Sequence, residues 1–379
     1  MPTTSSARRP LPVLMVPLRR CGSHALRLRL NASPKFYSPY PLHIVDLMPL
    51  VPLYGDLSND EAYFRLIVDI IGLQAISMVK WDTPTFDPVE IFEAIARERR
   101  SVHRIVWELL LRAGELRGAS TVMDKSLDSV HYARELLEIL PDMRFLNVVR
   151  DPRAQVASMN RAIIHDFDTL LNARTWLGAH VASQALANEF PARVLTIRYE
   201  DFLSDQKQVL ERICQFFEID FIPQMLDISG SQEARTFARR SALWESNFYP
   251  PIAANAVKFT KQLRVDEIEI IETITRDFMK LYGYTAMTTA DASIPRSRYR
   301  TAMERSETMK AMAWSELQRA NYKDFTFRRF RKNYLAMIKQ SFQPAEPYTT
   351  AAVGLEHQLI TATTGKESLS SPSKLNRQQ

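Results

Sequence analysis

The chain has 379 residues, of which 46% are hydrophobic and 24% are charged. This balance is typical of a globular protein and excludes disorder along the whole chain. Its two cysteines, Cys21 and Cys214, are too few for a disulfide framework or a multi-cysteine zinc site. No uncharged apolar stretch reaches the ~18 residues that a membrane span needs, and the apolar run near the start is too short for a secretory signal. We therefore expect a cytoplasmic location.

The positive charge of the chain is concentrated towards its C-terminus. The formal net charge is +6, but residues 294–340 alone contain twelve Lys and Arg against four Asp and Glu. The rest of the chain is therefore slightly acidic. Because the excess is local, the charge of the whole chain is no argument for nucleic-acid binding.

Short apolar segments alternate with longer segments of helical periodicity. Strands are predicted at 13–18, 120–124, 144–150 and 193–199. Helices are predicted at 23–30, 59–72, 88–100, 101–114, 129–141, 151–160, 168–189, 206–219 and 266–284. Strands that alternate with helices form parallel sheets covered on both faces. The sequence thus predicts an α/β fold, a three-layer parallel β-sheet with helices on both sides.

Composition divides the chain into four segments. We expect a disordered N-terminus at 1–12 and one folded domain at 13–285. A basic, partly helical extension follows at 286–340, and the Ser/Thr-rich residues 341–379 are expected to form a disordered tail.

The first strand leads into a basic loop at the predicted start of a helix. The loop contains Arg19, Arg20, Cys21, Gly22 and Ser23, and it precedes the apolar part of the helix. Backbone N–H groups at a helix N-terminus, a glycine that allows close approach and a nearby cation form an anion site. The alternative is a basic turn without a ligand. A Walker A loop is excluded, since GxxxxGK[ST] is absent.

The strand at 144–150 ends in a second cationic segment. Arg150 closes the strand, and Asp151 with Pro152 predicts the cap and first residue of a helix. Ser158 lies seven residues beyond Asp151 and therefore on the same helix face. An arginine and a hydroxyl that converge suit a phosphate. The alternative is a plain helix cap with Arg150 paired to a surface acid.

These segments resemble the sulfotransferases that use 3′-phosphoadenosine-5′-phosphosulfate (PAPS). Residues 17–30 resemble the 5′-phosphosulfate loop of the family, and residues 145–159 resemble its 3′-phosphate segment. Residues 122–126, VMDKS, resemble the lysine-bearing strand of the carbohydrate and protein-tyrosine branches, and residues 197–219 resemble a third recurring segment. The resemblance covers about 13–285 and implies the P-loop NTPase-like sulfotransferase fold.

The resemblance also implies an activity, a donor and roles for individual residues. It implies transfer of a sulfuryl group from PAPS to a hydroxyl or, less favoured, an amine acceptor, by in-line displacement and without a metal. Residues implied on the donor are Arg19, Arg20, Cys21, Gly22, Ser23, His24, Arg150 and Ser158. Arg20 and Lys125 would stabilise the charge that develops on the bridging oxygen.

The catalytic base is where the sequence departs from the family. Relatives often have a Glu at the position of Tyr40, so His43 is the predicted base, with Asp46 and Asp82 as further candidates. The alternative for a single loop histidine is an ordinary surface or hydrogen-bonding role. Cys21 and His24 also replace smaller residues of the family loop. A cysteine at a helix N-terminus beside arginines could have a lowered pKa, although a structural role is favoured.

Several aromatic residues are candidates for stacking on adenine or lining an acceptor pocket, although core packing is the more frequent role. They are Trp176, Trp244, Phe248 and Tyr249. Glu200 and Asp201, after the last strand, resemble a structural turn of the family. Segments 35–60, 77–90 and 230–260 are expected to form the acceptor pocket.

Three further functions remain open from the sequence. The first is a kinase-like phosphotransferase, which the missing Walker lysine disfavours. The second is a non-catalytic protein of the same fold. The third is a polyanion binder, with an anionic partner at residues 296–340. Basic helices that pack on the main domain explain the same segment, and we favour that interpretation.

Overall fold

The computed structural model describes residues 9–241 and 253–343. Within them, five parallel strands form one sheet in the order β2–β3–β1–β4–β5. The strands are β1 Leu11–Val16, β2 Phe36–Tyr37, β3 Thr121–Asp124, β4 Arg144–Val149 and β5 Val194–Arg198. Four strands match the predicted ones, shifted by up to two residues. The two-residue β2 was not predicted, because it is too short to show a pattern.

The helices alternate with the strands. The structure places α1 at Ser23–Leu30, α2 at Asp60–Ala75, α3 at Pro88–Ile95, α4 at Val102–Leu116, α5 at Ala133–Ile139, α6 at Pro152–Met159, α7 at Thr169–Glu189, α8 at Tyr199–Ser204, α9 at Gln206–Phe217, α10 at Gln232–Ala238, α11 at Val265–Leu281, α12 at Arg296–Ala320 and α13 at Tyr322–Gln340. The predicted helix at 129–141 begins instead as a 3₁₀ segment, Leu127–Tyr132.

Helices cover both faces of the sheet, which confirms the predicted three-layer α/β fold. On one face, Val13 and Met15 of β1 pack in a core that also holds residues of α1 and α9. On the other face, Asn147 of β4 accepts a hydrogen bond from Ser183 of α7 at 2.8 Å. Alternate side chains of a strand therefore point into the cores on opposite faces of the sheet, as a buried parallel sheet requires.

The basic C-terminal extension is helical from Arg296 to Gln340, apart from a break at Asn321, and residues 286–295 before it are irregular. Ala302 of α12 packs with Leu170 of α7 and Ile270 of α11. Ser306 and Lys310 both donate hydrogen bonds to Asp166, at 3.0 and 2.7 Å. Helix α12 is thus packed on the main domain, as favoured from the sequence.

The domain boundaries at 12, 285 and 340 stay predictions. Internal contacts divide the chain differently, into residues 1–335 and 336–379. The expected disorder at 1–12 and 341–379 falls mainly outside the described residues. Among the described residues, no helix combines the length and apolarity needed to cross a membrane.

Candidate functional site

The loop between β1 and α1 lies at the carboxyl end of the sheet, where parallel sheets bind ligands. Arg20 adopts a left-handed φ of 71° and Gly22, the N-cap of α1, a φ of 91°. A Cβ atom at Gly22 would lie 2.2 Å from Cε2 of Tyr199. Only glycine therefore fits at this position, which explains the residue in the motif.

Helix α6 holds this loop in place. The side chain of Gln155 is fully buried and donates from Nε2 to the carbonyl of Arg19 at 2.8 Å. Its Oε1 accepts a hydrogen bond from Nε1 of Trp176 at 3.0 Å. Arg150 donates from Nη1 to the carbonyl of Arg20 at 2.8 Å. The two predicted cationic segments are therefore joined by direct hydrogen bonds.

Arg20 contacts both Arg150 and Ser158, which brings the loop after β1 and the segment after β4 together. Nε of Arg20 donates to the hydroxyl of Ser158 at 3.0 Å. The Arg150 guanidinium stacks on Tyr199, with its carbon 4.9 Å from the ring centre. Nε of Arg150 is buried and has no hydrogen-bond partner among the described residues. Nε of Arg150 is thus a buried hydrogen-bond donor from which an anion could accept a hydrogen bond.

A cavity of about 130 Å³ opens beside the loop. Six of the predicted site residues line it together: Arg19, Arg20, Ser23, His24, His43 and Lys125. Arg150 and Ser158 do not line the cavity themselves, but both form hydrogen bonds with Arg20, which does. Residues that are over 100 positions apart in sequence thus meet at one end of the sheet.

Burial changes the charge states around this cavity. Burial, and next the charge of Arg150, lowers the pKa of Arg20 to about 10. Burial, followed by the charges of Arg27 and Arg19, lowers the pKa of Lys125 to about 7. An anion bound here would raise the pKa of both Arg20 and Lys125, because an opposite charge favours the protonated form.

The two histidines of the cavity are neutral near physiological pH. Burial, with the cation Lys125 next, holds the pKa of His24 well below its ordinary value. Burial, followed by Arg19, has the same effect on the pKa of His43. A neutral imidazole can accept a proton, whereas a protonated one cannot. His43 adopts a left-handed φ of 52° and its ring packs edge-on against Tyr40.

The idea that the Cys21 thiol has a lowered pKa is wrong. The side chain is fully buried, and that burial raises its pKa to about 11. The desolvation of the thiolate outweighs the nearby cations and the helix N-terminus. Cys21 packs in the core beneath the sheet with residues of α1 and α9, which agrees with the favoured structural role.

Of the two further acidic candidates, only one lies at the cavity. Asp46 lines it and accepts hydrogen bonds from Arg331 at 3.1 and 3.2 Å. Asp82 lies elsewhere, in a second cavity, where it pairs with Arg117 at 3.0 Å and accepts from Tyr37 at 2.9 Å. Asp82 is therefore wrong as a candidate base of this site.

Trp176, the only aromatic candidate among the described residues, does not line the cavity. Trp176 is fully buried and stacks on His180, with ring centres 3.7 Å apart, so it belongs to the core. Trp244, Phe248 and Tyr249 lie outside the described residues. Glu200 accepts hydrogen bonds from the backbone N–H of Asp151 at 3.0 Å and from the Tyr284 hydroxyl at 2.7 Å. These bonds tie β4 to the end of α11, in keeping with a structural role.

Sequence reasoning missed three contributors to the site. Tyr199 forms the wall against which Gly22 and Arg150 pack, although its motif looked purely structural. Gln155 fixes the loop but is one polar residue among several on α6. Helix α13 adds Phe327, Arg328 and Arg331 to the cavity wall. The sequence marks α13 as part of a basic segment but gives no sign that this segment lies at the cavity.

The arrangement can bind a ligand with two anionic groups. One group would meet the N-terminus of α1, and the other would meet Arg150 and Ser158. No acidic side chain of the described residues lines the cavity apart from Asp46. Within the same residues, no three His, Cys, Asp or Glu side chains are grouped as metal ligands would be.

Comparison with known proteins identifies relatives of this chain. A model described as "Sulfotransferase family" matches residues 12–223. The solved sulfotransferase domain of the Synechococcus PCC 7002 olefin synthase is 22% identical, covers 71% of this chain and 96% of its own, and has a TM-score of 0.45. The sulfotransferase domain of the curacin biosynthetic pathway is 15% identical, with coverages of 74% and 99% and a TM-score of 0.48.

A third solved structure, sulfotransferase STF9 from Mycobacterium avium, is 14% identical, with coverages of 74% and 78% and a TM-score of 0.39. A search of the curated proteins finds no match to this chain.

Proposed function

The chain belongs to the sulfotransferase family, and we propose that it transfers a sulfuryl group from PAPS to a hydroxyl acceptor. The observation that carries this proposal is the convergence of Arg20, Arg150 and Ser158 at the carboxyl ends of β1 and β4. Two cationic segments that meet in this way suit the two phosphate-bearing ends of the donor.

The residues present fit such a donor. In the proposal, Arg19, Arg20, Cys21, Gly22, Ser23 and His24 hold the 5′-phosphosulfate, chiefly through backbone N–H groups at the start of α1. Arg150 and Ser158 hold the 3′-phosphate. The absence of a Cβ at Gly22 lets the Tyr199 ring pack against the loop, and the unpaired buried Nε of Arg150 can donate to a phosphate oxygen.

The reaction would break the bond between the sulfur and the bridging oxygen while the acceptor oxygen attacks from the opposite side. Negative charge then develops on the bridging oxygen, and we assign its stabilisation to Arg20 and Lys125. His43 would accept the proton of the acceptor hydroxyl, and it would pass that proton to solvent afterwards. Burial and nearby cations lower its pKa and keep the imidazole neutral, and an anionic donor bound beside it would raise that pKa towards the range that a general base needs.

The proposal includes a hydroxyl rather than an amine acceptor, because an imidazole base suits a hydroxyl near neutral pH.

The proposal also includes a cytoplasmic location, which rests on the sequence. Both cysteines are buried free thiols, and this state fits a reducing compartment. The kinase-like function has no observation in its favour, since the loop lacks the Walker lysine.

Calorimetric titration with adenosine 3′,5′-bisphosphate (PAP) tests the proposal. We expect micromolar binding by the wild type and at least tenfold weaker binding by Arg150→Ala and Arg20→Ala. Charge-assisted hydrogen bonds contribute about 1.5–3 kcal/mol each, which is about 10- to 150-fold in affinity. Arg144→Ala is the matched control, because Arg144 begins the same strand at its other end and pairs with Glu218.

The control variant should bind PAP as the wild type does. If the folded wild type does not bind PAP, the proposed donor is wrong. If PAP binds but none of the hydroxyl compounds incubated with PAPS and the protein is sulfated, the protein is the non-catalytic alternative and not an enzyme.

A further inference from the structure

Two arginines of α13 form part of the cavity on the side of His43. Arg328 and Arg331 lie three residues apart and therefore on one face of the helix, and both line the cavity. Their charges both act to lower the pKa of His43. The cations thus lie close to the proposed base, and the charge of Arg328 also acts on Arg20.

Each of these guanidinium groups is held from one edge by a carboxylate. Arg328 donates from Nε to Asp324 at 2.8 Å. Arg331 donates to Asp46 at 3.1 and 3.2 Å and to the carbonyl of His43 at 2.9 Å. Among the described residues, Nη1 of neither arginine donates a hydrogen bond. Both groups are therefore oriented yet keep unused donors, as an oxyanion site needs.

The helix that carries them is anchored near these residues. Asp324 is almost fully buried and accepts a hydrogen bond from Ser241 at 2.7 Å. Tyr334 donates to the carbonyl of Asp69 on α2 at 3.2 Å. A Cβ at Gly72 would overlap the Tyr334 hydroxyl, so glycine allows the close approach of the two helices. The arginines are thus presented by packed elements rather than by a loose arm.

We propose that the acceptor carries an oxyanion, either a carboxylate or a phosphate ester, in addition to its hydroxyl, and that Arg328 and Arg331 bind it. This inference rests on the proposed function, which assigns the 3′-phosphate of the donor to Arg150 and Ser158 and its 5′-phosphosulfate to the loop wall of this same cavity, from Arg19 to His24. Binding the oxyanion here places the acceptor beside His43. The remaining wall includes Ile76, Met78 and Phe327, which suits an apolar portion between the two polar groups.

The test uses the full-length protein saturated with PAPS, so that the sulfuryl position is filled. Inorganic phosphate is titrated into this complex at low ionic strength, and acetate is titrated separately to distinguish the two kinds of oxyanion. We expect millimolar binding of at least one anion and at least tenfold weaker binding in Arg328→Ala and in Arg331→Ala. Arg329→Ala is the matched control, since Arg329 is an exposed cation next to Arg328.

A second variant separates the cation from the anchoring of α13. Asp46→Asn breaks the same ion pair as Arg331→Ala but leaves the guanidinium in place. Anion binding should persist or tighten in Asp46→Asn. Equal loss in Asp46→Asn and Arg331→Ala, unchanged binding in both arginine variants, or no binding by the PAPS-loaded wild type would each overturn the inference. Failure to bind PAPS at all is seen before any anion is added and refutes the proposed function itself.

Discussion

Arg20 donates a 3.0 Å hydrogen bond from Nε to the hydroxyl of Ser158, although 138 positions separate the two residues. The bond joins the loop after β1 to helix α6, and it forms while Arg20 holds a left-handed backbone conformation. That conformation costs an L-residue roughly 1–2 kcal/mol. The surrounding contacts must offset this cost, and among them are the hydrogen bonds that join the two halves of the proposed donor site.

Ser158→Ala should weaken PAP binding about threefold to tenfold. The substitution removes one hydroxyl donor to a charged phosphate, and such a bond contributes up to about 1.5 kcal/mol when the arginines beside it still neutralise the phosphate. The fold should be unaffected, because alanine is the best helix former and Ser158 lies within α6. Calorimetry measures the affinity, with Ser120→Ala at the amino end of β3 as the control. An unchanged affinity in Ser158→Ala would remove this residue from the donor site.

Gly22→Ala should cost more stability than Gly118→Ala and should also impair PAP binding. Both glycines have positive φ, at 91° and 66°, so both substitutions carry a penalty of roughly 1–2 kcal/mol for an L-residue. Of the two, only Gly22 would bring the new Cβ against a neighbour, 2.2 Å from Tyr199, while Gly118 has open space. Urea unfolding and PAP titration of the two variants measure the difference. Equal losses of stability in both variants would show that the Tyr199 side chain can move away from the new Cβ without a cost in free energy.

PAP binding at pH 8 should take up close to one proton through Lys125. Burial holds the pKa of this lysine at about 7 in the free protein, so most of it is neutral at pH 8. A bound phosphate raises that pKa, because an opposite charge favours the ammonium form. Titrations in buffers of different ionisation enthalpy measure the uptake. Lys125→Met should abolish it, whereas Lys207→Met, on the exposed surface of α9, should not. Persistent uptake in Lys125→Met would assign the proton elsewhere.

The protein should lose stability as the pH falls below about 6.5, in part through His180. Burial lowers the pKa of this residue from 6.5 to about 3, and neither ring nitrogen has a hydrogen-bond partner among the described residues. Between these pH values the unfolded chain binds a proton that the native protein does not. The free energy of unfolding therefore decreases as the pH decreases, by up to about 1.4 kcal/mol per pH unit for this group.

Urea unfolding at pH 7, 6 and 5 checks this expectation. His180→Leu lowers stability at every pH, because it replaces a ring that stacks on Trp176. The informative quantity is the slope with pH, which should be shallower in the variant. A slope equal to that of the wild type would mean that His180 is protonated in the native state.

Much of the fold could be predicted because it depends on local patterns. The strands β1, β3, β4 and β5 are short apolar runs, as buried parallel strands must be, and the helices between them show their own periodicity. The two loops that carry Arg20 and Arg150 follow strands directly. Carboxyl ends of parallel strands share one edge, so their proximity followed from the class of fold.

The order of the strands and the rest of the site depended on contacts that no local pattern encodes. Arg331 meets the carbonyl of His43 across 288 positions, and Tyr199 meets Gly22 across the sheet. The pKa of Cys21 was judged from its sequence neighbours and proved to be set by burial. The sequence alone determined which residues carry charge and which strands end beside them. Only the tertiary structure decided which of those charges are desolvated and what covers the cavity, because burial is a property of the whole packed chain.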